Sequence, residues 1–91
     1  MPENEALTLD HNDGYLTHYV SSDGRYVHDS LMYVGELGGD KELEWRKNRI
    51  REMMGMFPEI VYAYILGRAI DAEGGEKSVM MRTYNRAYFK S

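Results

Sequence analysis

Residues 57–71 read FPEIVYAYILGRAID, and the way this run folds decides the architecture. Every residue from Ile60 to Leu66 is apolar or aromatic, which suits an element covered on most sides. The run falls well short of the roughly 20 apolar residues a helix needs to span a bilayer. Pro58 suits a first helical position, where its missing N–H costs nothing, and Gly74 and Gly75 suit a helix end. The expectation is therefore a buried helix ending near Ala72.

Working towards the N-terminus, Asp40 reads as an N-cap, with Glu42 and Glu44 in a first turn that favours negative charge. At about 100° per residue, Leu43, Ile50 and Met54 share a stripe with Met53 at its edge. A first helix over residues 41–55, broken by Gly55 and Pro58, is predicted. Before it, Ser21-Ser22-Asp23-Gly24 is the clearest turn in the chain, flanked by β-favouring runs. Leu7 and Leu9 alternate with polar residues ahead of His11-Asn12-Asp13-Gly14, which predicts an earlier hairpin with a returning strand from Tyr15 to Val20. A third strand is expected from Arg25 or Tyr26 to about Val34, interrupted near Asp29 and Ser30.

Towards the C-terminus, Ser78 to Phe89 has β character, with Val79, Met81 and Thr83 on one face and a bend at Asn85. The order is β-β-β-α-α-β, an α+β fold with an antiparallel sheet of about four strands and two helices on one face. One domain over residues 6–90 is expected, with residues 1–5 frayed.

The 91 residues carry 15 acidic and 11 basic side chains, for a formal charge of −4, which weakens nonspecific attraction to nucleic acid. Cysteine is absent, as suits a reducing compartment, and the opening MPENEALTLD lacks the basic start and apolar run of a signal peptide. A cytoplasmic location, with no membrane association, is expected.

His11, His18 and His28 lack the paired spacing of structural zinc sites, so no metal is assigned. The Asn-Asp-Gly and Ser-Asp-Gly turns do not continue into a calcium or phosphate loop. No nucleophile elbow or arranged acid–base pair is visible, so neither an enzyme nor a cofactor is expected. Eight Tyr and seven Met suit both core packing and adaptable binding surfaces. Trp45 lies off the predicted stripe and, with Arg46 and Arg49, forms one candidate partner-binding group. Arg82, Tyr84, Arg86 and Tyr88 form a second, a combination of cations and rings also found in single-strand binders.

The expectation is a small non-enzymatic protein that binds another protein, such as a phage or mobile-element accessory protein that inhibits a host protein by occlusion. A homodimer is expected because so apolar a helix needs more cover than one small sheet gives, through residues 53–66 or an open strand edge. The alternatives are a small-ligand or nucleotide binder with a Tyr-lined pocket, and a single-strand binder using the C-terminal Arg/Tyr strand.

Overall fold

A computed structural model of the chain describes residues 7–90; the expected fraying of residues 1–5 and the start of order at Ala6 lie outside them. The elements are β1 (Thr8–Leu9), β2 (Leu16–Ser21), β3 (Tyr26–Val27), α1 (Asp40–Met56), β4 (Ile60–Ile70), β5 (Glu76–Asn85) and a short 3-10 helix (Arg86–Phe89). The α+β class holds, but the described residues form one α-helix and a five-stranded antiparallel sheet. Two helices and four strands were expected.

The decisive run is a strand. Its inner positions are Ala63, Ile65, Gly67 and Ala69, all buried, while Tyr64, Leu66, Arg68 and Ile70 alternate with them half-buried. A continuous apolar run fits a central strand with apolar residues on both faces as well as it fits a buried helix. Val, Tyr and Ile, which fit a pleated surface, decide in favour of the strand. Glu73-Gly74-Gly75, read as a helix end, is the turn of the β4–β5 hairpin. There Gly74 sits at φ +84° and Asp71 Oδ1 accepts from the Glu73 and Gly75 amides at 2.9 and 2.7 Å.

β4 is the middle of the sheet. One edge pairs with β5 from Tyr62↔Asn85 to Ile70↔Glu76. The other edge pairs with β1 at Thr8↔Ile70 and with β2 from Leu16↔Leu66 to Ser21↔Ile60. β1 and β2 therefore lie end to end along one strand, and the hairpin expected at His11-Asn12-Asp13-Gly14 is an outward loop instead. The turn at residues 21–24 forms as expected, with the Gly24 amide donating to the Ser21 carbonyl at 2.9 Å. β3 stops at Val27 rather than Val34, because Asp29 turns towards α1 and is held by Arg49.

α1 buries Ile50, Met53 and Met54 against Tyr19, Ile60, Ala63, Ile65 and Tyr84. Leu43 packs at the edge of this core. Gly39, not Asp40, occupies the N-cap, with no side-chain cap. Among the described residues Glu42 is the one charged residue that is fully buried. Met53, Met54, Ile60, Ala63 and Ile65 are consumed by the chain's own core, which leaves Met56, Phe57, Val61 and Tyr62 as the exposed large apolar residues of the 53–66 region named for a dimer contact. In β5 a bulge beside Ile65 and Leu66 shifts the register. Tyr84 therefore turns inward and Thr83 outward, against the expected Val79–Met81–Thr83 face. Asn85 ends the strand and caps the 3-10 helix, accepting from the Tyr88 amide at 3.0 Å.

Candidate functional site

α1 covers one face of the sheet, and among the described residues no element covers the other. The period of two in β2, β4 and β5 sets Leu16, His18, Val20, Tyr62, Tyr64, Leu66 and Met80 on that open face. Tyr26 joins them opposite Val20. Their rings form a connected row. His18 stacks on Tyr64 with centroids 5.3 Å apart and planes 5° apart, Tyr26 meets His18 edge-on at 5.5 Å, and Tyr62 stacks beside Tyr64 at 6.1 Å. The Tyr64 hydroxyl donates to that of Tyr26 at 3.2 Å, which raises the pKa of the Tyr64 phenol above its ordinary value.

Leu16, Tyr26, Tyr62 and Met80 stay 65, 67, 39 and 59% exposed. At roughly 200 Å² per large side chain they present on the order of 450 Å² to solvent, within the range of functional patches. At the C-terminal end of β4 this face carries a charge cluster in which Arg68 pairs with Asp10 at 3.6 Å, with Glu76 at 2.7 Å and with Asp13. Its hydrogen bond to Asp13 holds the Arg68 guanidinium above its ordinary pKa. Three carboxylates share one cation, so the cluster keeps a surplus of negative charge.

Beside this face, between β2 and residues 28–37, lies a pocket of about 690 Å³. A buried junction builds its floor. Glu42 Oε1 accepts from the Gly38 amide at 2.8 Å, and Oε2 accepts from the Tyr15 amide at 2.9 Å and Arg46 Nε at 2.8 Å. The Gly38 carbonyl accepts from the Tyr15 hydroxyl and from His11 Nδ1, each at 2.9 Å. Burial and the neighbouring Glu42 charge push the Tyr15 phenol up. On the far wall Asp29 receives Arg49 through two bonds of 2.8 and 3.0 Å and the Tyr19 hydroxyl at 3.2 Å. The Arg49 bonds hold the Asp29 carboxyl below its usual range, and burial together with Asp29 pushes the Tyr19 phenol up.

The first candidate group is dispersed into these structures. Trp45 is half-buried under Tyr33, rings 5.3 Å apart, with the Arg46 guanidinium 5.9 Å from its ring centre. Arg46 points to Glu42 and Thr17 Oγ1, and Arg49 to Asp29. Of the second group, Arg82, Tyr84 and Tyr88 are brought together, and Arg86 is set apart. Tyr84 is buried in the core with Tyr88 edge-on to it at 4.8 Å, and Arg86 donates to the Phe57 carbonyl at 2.7 Å. Arg82, Tyr84 and Tyr88 line one polar cleft with Lys47 on the helix side.

Sequence reading missed the Tyr26–His18–Tyr64–Tyr62 row. The signal was the alternation Tyr62, Tyr64, Leu66, which is visible only when residues 60–70 are read as a strand. His11, His18 and His28 are not brought together, and no group of three His, Cys, Asp or Glu residues is placed to hold a metal among the described residues. No described helix is long and apolar enough to cross a membrane. Set against known proteins, the chain matches no family model, no curated protein and no solved structure.

Proposed function

We propose that the protein acts without catalysis, by laying the helix-free face of its sheet against another protein and occluding that surface. The observation that supports this reading is the row of rings on an uncovered sheet, with Leu16, Tyr26 and Met80 all more than half exposed. Tyrosine supplies broad, rigid contact area with a polar tip, which suits protein recognition. Single-stranded nucleic acid would also stack on rings, but it needs a cationic track beside them. Arg68, the cation at this end of the face, is outnumbered by Asp10, Asp13 and Glu76, so electrostatics disfavour a phosphate backbone.

A second copy of the chain is the simplest cover. Two such patches face to face would bury on the order of 900 Å², below the roughly 1,200 Å² at which stable specific interfaces begin. Self-association is therefore expected to be weak and to leave the face open to a different partner. A photo-crosslinking amino acid placed at Leu16, Tyr26 or Met80 is expected to give a discrete protein adduct in the producing cells. Lys41 and Glu52 on α1 should give none. Adducts arising chiefly from α1, or none from the sheet face, would refute this reading.

A further inference from the structure

β2 is paired on its outer edge only at Tyr19↔Val27 and Val20↔Tyr26. The Ser21 amide points that way, donating to the Arg25 carbonyl at 2.9 Å. By the strand's period of two, Tyr19 and Thr17 direct their backbone groups to the same side. The N–H and C=O of Thr17 thus face outward beyond the end of β3, and no described backbone group outside the sheet meets them. An unpaired strand edge is a template for another strand.

The pocket lies along this edge. Tyr15, Leu16, Thr17 and His18 all line it, although successive side chains of a strand point to opposite faces. The cavity therefore occupies the plane of the sheet, where a further strand would run. Leu31, Met32 and Leu37 form the apolar far wall. What keeps the slot open is Asp29, which Arg49 and the Tyr19 hydroxyl draw towards α1, so that the chain leaves β2 after Val27.

Charge selects the occupant. Inside the slot Glu42 is neutralised by Arg46, and Asp29 by Arg49. Asp13 at its rim belongs to the cluster in which three carboxylates share Arg68, so uncompensated negative charge stands at the entrance. The slot offers main-chain hydrogen bonding, apolar walls and an acidic rim together. We infer that it binds an extended, basic polypeptide segment as an added strand next to Thr17. This deepens the protein-binding reading by naming the class of segment, and it does not depend on Tyr62 or Met80 outside the slot.

The test uses a capped octapeptide of alternating Val and Lys, its Val/Glu counterpart, and two versions N-methylated at alternate residues. Fluorescence anisotropy is expected to show saturable binding of the Val/Lys peptide that weakens about threefold or more between 50 and 300 mM salt. The Val/Glu peptide, and at least one N-methylated version, should bind about tenfold more weakly. Amide hydrogen exchange at Thr17 should slow about tenfold in the complex. Met80→Lys, on the open face but outside the slot, should leave peptide affinity unchanged, which separates a failure here from a failure of the face-binding reading. Equal binding of the acidic peptide, indifference to both methylation patterns, unaltered Thr17 exchange, or loss of binding in Met80→Lys would each overturn the inference.

Discussion

Replacing Glu42 by Gln tests the junction that holds the pocket's floor. The carboxylate is fully buried and satisfies three donors, the Gly38 and Tyr15 amides and Arg46 Nε. Glutamine has the same shape but only one acceptor oxygen. If that oxygen keeps the Tyr15 and Arg46 bonds, the new NH₂ group confronts the Gly38 N–H. If it turns to Gly38, both Tyr15 and Arg46 face a donor.

The better orientation still leaves a buried amide donor unmet, at about 1–3 kcal/mol, and removes the charge opposite Arg46. Breaking a buried ion pair by removing one partner costs about 3–5 kcal/mol. Because Arg46 keeps a little exposure and its bond to Thr17, a total of about 3 kcal/mol is expected, within the range. A chain of this length is stable by roughly 5–14 kcal/mol. Urea unfolding at pH 7, followed by the fluorescence of the single tryptophan, Trp45, reads the change. With a slope of about 1–1.5 kcal/mol per molar urea, the midpoint should fall by roughly 2 M or more. A loss under about 1 kcal/mol would refute the claim that Glu42 ties the N-terminal loop, residues 37–39 and the helix together.

Two further outcomes are expected. Gly38 has φ +80°, and an added Cβ would lie 1.9 Å from the His11 carbonyl oxygen, whereas Gly24 has φ +84° with open space around it. Gly38→Ala should therefore prevent a native fold or cost well over 2 kcal/mol, and Gly24→Ala about 1 kcal/mol, as measured by urea midpoints. For Asp29, the bonds from Arg49 depress the folded-state pKa. Its stabilisation is thus complete above the ordinary carboxylate value near 4 and is lost as pH falls through the depressed folded value. The gap in urea midpoint between wild type and Asp29→Asn should hold from pH 7 to about 5 and narrow below about pH 4; a gap that is constant down to pH 2 would contradict the pairing.

Elements marked by turn chemistry or by an amphipathic stripe were legible in the sequence. Ser21-Ser22-Asp23-Gly24 declared its hairpin, and Ile50, Met53 and Met54 declared the buried side of α1. Residues 60–70 misled because apolar residues on both sides of a strand erase the alternation that marks it. Here the outer positions as far as residue 66 are Tyr62, Tyr64 and Leu66, which remain apolar even where they face solvent. Residues 28–34 misled in the opposite direction. Their β-favouring composition is overridden by one tertiary ion pair, Asp29–Arg49, with a partner 20 residues away and no local signature. Of the Arg82–Tyr84–Arg86–Tyr88 grouping, Arg82, Tyr84 and Tyr88 do line one cleft, while the 3-10 helix, which a strict period of two cannot foresee, carries Arg86 away to the Phe57 carbonyl. The open face could be recognised only once β4 was known to be a strand, because its tyrosines otherwise count as core.

The placement of β4 also constrains how the molecule assembles. Its neighbours β1 and β2 are made some forty to sixty residues earlier, and during synthesis they have no partner along that edge until Ile70 has left the ribosome. Only β5, joined by a short turn, can zip onto β4 at once. The β4–β5 hairpin is then the template on which the older N-terminal strands settle, and a chain released before residue 60 carries three short strands and a helix without the central strand that joins them into one sheet.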